Sequence, residues 1–123
     1  MSVTSVAAVR IAVHDLDAAR SFYCNDLGLS ERSSDPGWMV LDAGIDVIVE
    51  RVEPGEVDDD EIAVGRFTGV SFRVDDIDGV CATLVERGAH MVGMPQRQPW
   101  GGVLAHVADP DGNVVTLVQY PRP

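Results

Sequence analysis

The chain has 123 residues, 46% of them hydrophobic and 24% charged, a length and composition that predict one folded domain and exclude a disordered chain. Its net charge of −11, from 20 acidic residues and 9 arginines, excludes the basic surface that nucleic-acid binding requires. No apolar run approaches the roughly 20 residues that cross a bilayer, and residues 1–10 lack the pattern of a signal peptide. We therefore expect a cytoplasmic protein with neither a membrane nor a nucleic-acid partner.

The first half of the chain, residues 5–53, predicts a βαβββ module. An alternating strand near Val6–Val13 leads into the sequence VHDLD, where Asp15 or Asp17 can cap a helix that ends at Gly28. Helical spacing predicts a buried stripe formed by Leu16, Ala19, Phe22 and Tyr23. Further strands are predicted near Leu29–Ser33, Trp38–Asp42 and Asp46–Val52.

An acidic segment, residues 54–62, follows the first module. Together with Glu53 it holds six acidic residues of the chain. The segment can be a solvated linker, or its electric field can raise the local concentration of a cationic ligand.

The second half, residues 63–120, predicts the same βαβββ order. The strand Val70–Val74 leads into the sequence VDDID, which opens a helix that ends before Gly88. Its apolar stripe is predicted to comprise Ile77, Val80, Cys81, Leu84 and Val85. The later strands are predicted near His90–Gly93, Val103–Ala108 and Val114–Gln119.

The repeat itself indicates the fold class. Half of a small domain cannot bury its apolar face alone, so the two modules should share one α+β structure, with curved mixed sheets around a cavity. Such short open sheets leave unpaired edges, and we therefore also expect a homodimer.

Strand alternation predicts which side chains face the cavity and which face the helices. By this parity, and for Trp100 by its place in the turn-rich sequence QPWGG, the candidate ligand-binding residues are Arg10, Ile48, Glu50, Ser71, Arg73, Trp100, His106 and Thr116. His106 can act as a general base or as a structural residue. Arg73 can bind an anionic ligand group, or it can pair with Glu50 or the acidic segment. Trp100 can stack on a flat ligand, contact a second subunit, or pack beneath its loop.

The remaining reactive side chains favour structural roles. Cys24 and Cys81 are too few for a disulfide framework and lie in different predicted helices, so we expect buried or half-buried thiols. His14 and His90 are expected to be exposed to solvent.

The two helix openers, the segment Leu27-Gly28-Leu29 and the turn DPDGN at residues 109–113 resemble the vicinal oxygen chelate superfamily over nearly the whole chain. That superfamily includes glyoxalase I, extradiol dioxygenases, fosfomycin-modifying enzymes and bleomycin-resistance proteins. The resemblance implies the fold of these proteins, whereas the function is less constrained because one fold hosts many activities.

The resemblance also implies where a divalent metal would be held. The corresponding positions here are Ala8, Ile48, Gly69 and Thr116, which lack the histidine and glutamate ligands of the enzymes. Glu50 and His106 are only two further donors. We therefore predict no bound metal and no cofactor.

Three functions remain open on these grounds. The favoured interpretation is a metal-independent protein that binds a small molecule, such as a cationic antibiotic or an aromatic metabolite, as bleomycin-resistance proteins do. The alternative is an enzyme of the superfamily, with lyase, isomerase or transferase chemistry at a non-standard or absent metal site. The third is a regulatory module with no chemistry.

Overall fold

The structure, a computed structural model, describes residues 2–123, and these form two compact units that divide between Val64 and Gly65. We call residues 2–64 the first module and residues 65–123 the second module. The acidic segment 54–62 belongs to the first module. Each module has the order βαβββ and one four-stranded mixed sheet, which confirms the predicted α+β fold. No helix within this part of the chain is long and apolar enough to cross a membrane.

The first module forms a sheet with the strand order β1-β4-β3-β2, in which β1 and β4 are parallel and the other pairs antiparallel. Its elements are β1 (Ala8–Val13), α1 (Leu16–Arg20) with a π-helical continuation (Ser21–Asp26), β2 (Ser30–Asp35), β3 (Trp38–Asp42) and β4 (Asp46–Arg51). The alternating residues that face the helix are buried, namely Ile11, Val13, Met39, Leu41, Val47 and Val49.

The first helix begins and ends as the sequence predicts but is not α-helical throughout. The Asp15 carboxylate accepts a hydrogen bond from the Ala18 N–H at 3.0 Å, and Gly28 ends the helix at a φ of +82°. Between them the helix widens into a π turn, where the Leu27 N–H donates to the Phe22 carbonyl at 2.9 Å. This widening keeps Phe22 and Tyr23 buried.

The second module repeats the topology with the strand order β5-β8-β7-β6, and β5 and β8 are parallel. Its elements are β5 (Phe67–Arg73), α2 (Ile77–Glu86), β6 (His90–Arg97), β7 (Val103–Ala108) and β8 (Val114–Gln119). The core beneath α2 includes Ala105, Val107, Val115 and Leu117. Strand β6 continues past Pro95, beyond its predicted end, because an edge strand tolerates a residue without an N–H.

The buried face of α2 is narrower than predicted. Ile77, Cys81 and Leu84 are buried, but Val85 is 51% exposed. The prediction for Val85 was wrong because eight residues of an α-helix turn the side chain about 80° past that of Ile77.

Strand β5, the first strand of the second module, contains a β-bulge. Its register against β8 shifts between Phe67 and Ser71, and Gly69 adopts a φ of +76° that favours glycine. The Thr68 hydroxyl donates to the Val114 carbonyl at 2.8 Å and accepts from the Val70 N–H at 3.1 Å. These side-chain bonds replace ladder hydrogen bonds that the bulge removes.

The turn before β8 is a buried polar network. Asn113 is fully buried, and its side-chain oxygen accepts from the Gly65 N–H at 2.8 Å. Its side-chain amide donates to the Asp109 carboxylate at 3.0 Å. The same carboxylate accepts from the Asn113 backbone N–H at 2.9 Å. This network joins the entry to β5 to the turn that precedes β8.

Candidate functional site

The eight predicted site residues fall into two sets. Arg10, Ile48 and Glu50 lie in the first module, and Ser71, Arg73, Trp100, His106 and Thr116 lie in the second. The location of all eight residues in one cavity stays a prediction.

Ile48 and Glu50 line a groove on the first module. They project from the same face of β4, and Glu50 lies opposite Trp38 on the neighbouring strand β3. The groove has a volume of about 460 Å³ and is lined by Gly37, Trp38, Val40, Ile48, Glu50 and Arg51. It therefore combines an apolar floor with a tryptophan and a carboxylate.

Arg10 is held by acidic side chains of its own module. Its Nε donates to Glu50 Oε1 at 2.5 Å, its Nη1 donates to Asp60, and its Nη2 lies 3.4 Å from Asp58. The hydrogen bond to Glu50, followed by that to Asp60, raises the pKa of Arg10 above its ordinary value. Glu50 is thus already the ion-pair partner of a cation.

Part of the acidic segment folds onto the sheet. The Asp58 side chain is only 9% exposed, and its Oδ1 accepts from the Ile62 N–H as well. Asp60 is 63% exposed and also pairs with Arg10. Asp58 is therefore an exception to the predicted solvated linker, because strand periodicity says nothing about where a loop returns.

Ser71, Thr116 and His106 form a row across three adjacent strands of the second module. Thr116 on β8 pairs in register with Ser71 on β5 and with His106 on β7. His106 Nδ1 lies 2.8 Å from Thr116 Oγ1, and the Phe67 ring contacts the imidazole edge to face at 5.7 Å. Thr116 is buried, so its hydroxyl orients the half-buried imidazole of His106.

Gly93 on β6 leaves room for this imidazole. A Cβ atom at Gly93 would lie 3.1 Å from His106 Cδ2. The ring can therefore lie close over the edge strand, with one nitrogen bonded to Thr116.

Arg73 and Trp100 meet at Tyr120, a residue that the parity argument did not name. The Arg73 guanidinium carbon lies 4.8 Å from the centre of the Tyr120 ring, and the Trp100 ring centre lies 5.9 Å from it. Trp100 is 51% exposed and Tyr120 is 49% exposed. We call Arg73, Trp100 and Tyr120 the aromatic cluster.

Gly102 positions the indole of Trp100. A Cβ atom at Gly102 would overlap the six-membered ring of Trp100, so the indole can occupy this position only with glycine at residue 102. Gly101 adopts a φ of +96°, and its Cα faces Pro121 next to the cluster. The two glycines therefore allow the position that the Trp100 indole adopts.

Sequence reasoning missed two residues for different reasons. Tyr120 continues the alternation of Thr116 and Val118, so extending β8 by one step would have found it. Phe67 has the same parity as Ser71 and Arg73, but it lies before Val70, where the strand was predicted to begin.

The family's metal positions do not fit a metal in this structure. Ala8, Ile48 and Gly69 offer no side-chain donor, and the Thr116 hydroxyl is bonded to His106. Within residues 2–123, no group of three or more His, Cys, Asp or Glu side chains is arranged to hold a metal ion. No step of a mechanism can be derived through a metal held by these residues.

The other reactive side chains have structural surroundings. Burial raises the pKa of the Cys24 and Cys81 thiols, which disfavours the nucleophilic thiolate. His90 is exposed, as expected. His14 is half-buried and its Nδ1 lies 2.7 Å from the Val52 carbonyl, so the expectation of a solvent-exposed residue was wrong.

Comparison with known proteins identifies the family. The model of the Glyoxalase/Bleomycin resistance protein/Dioxygenase superfamily matches residues 5–117. The bleomycin resistance protein of Klebsiella pneumoniae is 27% identical over 124 residues, which cover 95% of this chain and 94% of that protein.

Solved structures agree with this assignment. TnmS3, an antibiotic binding protein from Streptomyces sp. CB03234, is 32% identical with a TM-score of 0.76, and the match covers 99% of both chains. A superfamily member from Sphaerobacter thermophilus DSM 20745 is 31% identical with a TM-score of 0.74, over 96% of this chain and 98% of that chain. Lactoylglutathione lyase from Agrobacterium tumefaciens shares the fold at 22% identity and a TM-score of 0.76, over 96% and 95% of the two chains. The chain belongs to the glyoxalase/bleomycin resistance protein/dioxygenase superfamily.

Proposed function

We propose that this protein binds a small organic molecule, such as a cationic antibiotic or an aromatic metabolite, without a metal and without changing it chemically. The observation that carries the proposal is the Trp100–Tyr120 pair, in which two neighbouring aromatic rings are each about half exposed. Exposed aromatic side chains held in place by their surroundings supply contact area at a low entropic cost. A ligand with flat apolar parts would bury apolar surface by stacking on these two rings.

Three further observations support binding over catalysis. The positions at which the family's enzymes would hold a metal carry Ala8, Ile48 and Gly69, which have no donor atoms. The antibiotic binding protein TnmS3 is 32% identical over 99% of this chain. The bleomycin resistance protein of Klebsiella pneumoniae is similar over nearly its full length.

Calorimetric titration tests the proposal, with bleomycin and a panel of aromatic and cationic antibiotics as ligands. We expect saturable binding that is unchanged by EDTA, and we expect Trp100→Ala to weaken it by about 1–3 kcal/mol. Trp100→Phe is the matched control, because it keeps a ring and should lose less. The bound compound should be recovered with its mass unchanged.

Two results would overturn this function. One is a ligand whose mass changes on incubation with the protein, which would indicate an enzyme. The other is binding that depends on an added divalent metal.

We further propose that the protein is a homodimer. Strand β6 is an edge strand of its sheet, and it exposes Val92 and Met94 by 54% and 58%. The pairing of β6 with β7 shifts register twice, and these irregularities disfavour continuous hydrogen bonding of β6 to the same strand of a second subunit. The exposed side chains of Val92 and Met94 are therefore the better contact surface. Sedimentation at micromolar concentration should give the dimer mass, and Met94→Asp should give the monomer. A stable wild-type monomer would refute the proposal.

A further inference from the structure

We infer that the aromatic cluster of the second module binds a planar aromatic ligand through its ring and through one anionic oxygen group, of the kind found in an aromatic carboxylate. This inference rests on the proposed binding function and specifies the class of ligand. It assigns Arg73 as the residue that selects the charge of the ligand and Tyr120 as the residue that positions Arg73.

The guanidinium of Arg73 is oriented but not neutralised. Its carbon Cζ lies over the Tyr120 ring, 4.8 Å from the ring centre, in a cation–π contact. No carboxylate within residues 65–123 forms an ion pair with it. The N–H groups at the edge of a stacked guanidinium stay available, and their geometry matches the two oxygens of a carboxylate.

The arginines of the first module contrast with Arg73. Every one of them lies within ion-pairing distance of at least one carboxylate, and they are Arg10, Arg20, Arg32 and Arg51. An arginine that already has such partners gains little from a ligand carboxylate. Arg73 therefore has the stronger basis for recognising an anion.

The charge balance of the second module also permits an anionic ligand. Residues 1–64 contain 14 acidic residues against 4 arginines, a formal charge of −10, whereas residues 65–123 contain 6 against 5, a charge of −1. The strong negative charge of the chain is therefore a property of the first module. The net charge of the second module is therefore close to zero, and its own charges oppose an approaching anion only weakly.

The two rings define the remainder of the ligand. The Trp100 and Tyr120 rings lie 5.9 Å apart at an angle of 49°, so they form an open corner and not a parallel clamp. A flat ring system can rest on the indole while its acidic group reaches the edge of Arg73. Because the cluster contains one cation, it suits a single negative charge better than a phosphate dianion.

Three naphthalene compounds with the same ring and different charges test this inference. 2-Naphthoate is the anion, 2-naphthamide the neutral analogue and 2-naphthylmethylamine the cation. Titration of the full chain should show 2-naphthoate binding about tenfold more tightly than 2-naphthamide, with the cation weakest. Added NaCl should reduce the preference for the anion and leave the neutral compound unaffected.

Variants identify the residue responsible. Arg73→Gln should bring the affinities for 2-naphthoate and 2-naphthamide to within about twofold of each other, mainly by weakening the binding of 2-naphthoate. Arg97→Gln, which removes the same charge from another exposed residue of the second module, should leave the preference intact. Tyr120→Leu should reduce the preference, because Arg73 loses the ring that orients it.

The outcomes separate this inference from the proposed function. Equal binding of the three compounds that depends on Trp100 would overturn the charge selection but leave the binding function standing. No binding of any compound, together with a change of oligomeric state in Trp100→Ala, would overturn both, since the cluster would then be a subunit contact. A preference for the anion that survives in Arg73→Gln would refute the assignment to Arg73.

Discussion

The two modules share a backbone pattern but carry different chemistry at matching positions. On the first module, Arg10 pairs in register with Ile48 and Ala12 with Glu50, while on the second module Ser71 pairs with Thr116 and Arg73 with Val118. Arg73 therefore occupies the position that matches Ala12, one same-face row beyond the position that matches Arg10. The residue that pairs with Arg73 is Val118, where the first module has Glu50. The repeated fold sets the direction of the side chains in both modules, whereas the sequence of each module determines which of them are available to a ligand.

This difference has an energetic consequence. On the first module the carboxylates of Glu50, Asp58 and Asp60 surround Arg10. On the second module the row of Ser71, Thr116 and His106 contains no carboxylate, and the Arg73 guanidinium lies over the exposed Tyr120 ring. The first module uses its charges to hold the acidic segment, and the second keeps a cation available.

The largest difference in stability should come from the turns that precede the last strand of each module. Asn113→Ala removes a buried side chain that bonds the Gly65 N–H and the Asp109 carboxylate, and we expect it to cost about 2–4 kcal/mol. Asp42→Ala in the first module removes an exposed bond to the Gly44 N–H and an exposed ion pair with Arg32, and it should cost under about 1 kcal/mol. Urea denaturation measures both, and equal costs would contradict the contrast.

A smaller effect tests how the second module positions Trp100. Gly102→Ala places a methyl group where the indole lies, so the ring must move although the side chain is retained. We expect binding of an aromatic ligand to weaken about tenfold, or about 1.4 kcal/mol. Gly37→Ala offers a control, because a Cβ atom at this glycine would meet only Asp35 Oδ1, at an ordinary contact distance of 3.5 Å. Unchanged affinity in Gly102→Ala, with the fold intact, would mean that the indole does not contact the ligand.

A third prediction compares two acids of the acidic segment that share Arg10. Asp58→Ala removes a carboxylate that is 9% exposed and bonded to the Ile62 N–H, and it should cost about 1–2 kcal/mol. Asp60→Ala removes one that is 63% exposed and should cost less than about 0.5 kcal/mol. The order of the two unfolding midpoints checks the claim that the segment is anchored at Asp58. The reverse order would contradict it.

The smallest expected effect is a pH dependence in the first module. The Arg20 Nε donates to Glu31 Oε1 at 2.8 Å, and this bond lowers the pKa of Glu31 below its ordinary value. The pair therefore stabilises the fold at pH values above the unfolded-state pKa, and this contribution is lost as the pH falls through the folded-state pKa. Because each side chain is about one-third exposed, with values of 36% and 35%, the effect stays below about 0.5 kcal/mol.

Denaturation of wild type and Glu31→Gln at two pH values checks this sign. The difference in stability should be present at pH 7 and should shrink as the pH falls below the ordinary pKa of a glutamate, about 4.3. A difference that grows in acid would contradict it.

Much of the fold could be predicted because its signals are local. The alternation and turn residues around β3, β7 and β8 predict their observed bounds, and Asp15 and Gly28 predict the ends of the first helix. The π turn is different, because no local spacing distinguishes it from an α-helix. The extension of β6 past Pro95 depends on its position at the sheet edge, which only the tertiary structure provides.

The candidate site was predictable where it follows strand parity and not where it depends on loops. Parity placed Ser71, Thr116 and His106 on one face, and the structure aligns them in one row. It gave no sign that Asp58 and Asp60 return to Arg10, because the path of an acidic loop depends on contacts distant in sequence. The same limitation hid the contact between Tyr120 and the Trp100 loop.

The chain has two tryptophans, one in each half, and their indole N–H signals test the central claim directly. In a ¹H–¹⁵N NMR titration with 2-naphthoate, with the signals assigned by Trp38→Phe and Trp100→Phe, we predict that the Trp100 signal shifts saturably and by more than the Trp38 signal. This would place the ligand on the aromatic cluster of the second module. A Trp100 signal that does not move while the ligand binds would contradict the account.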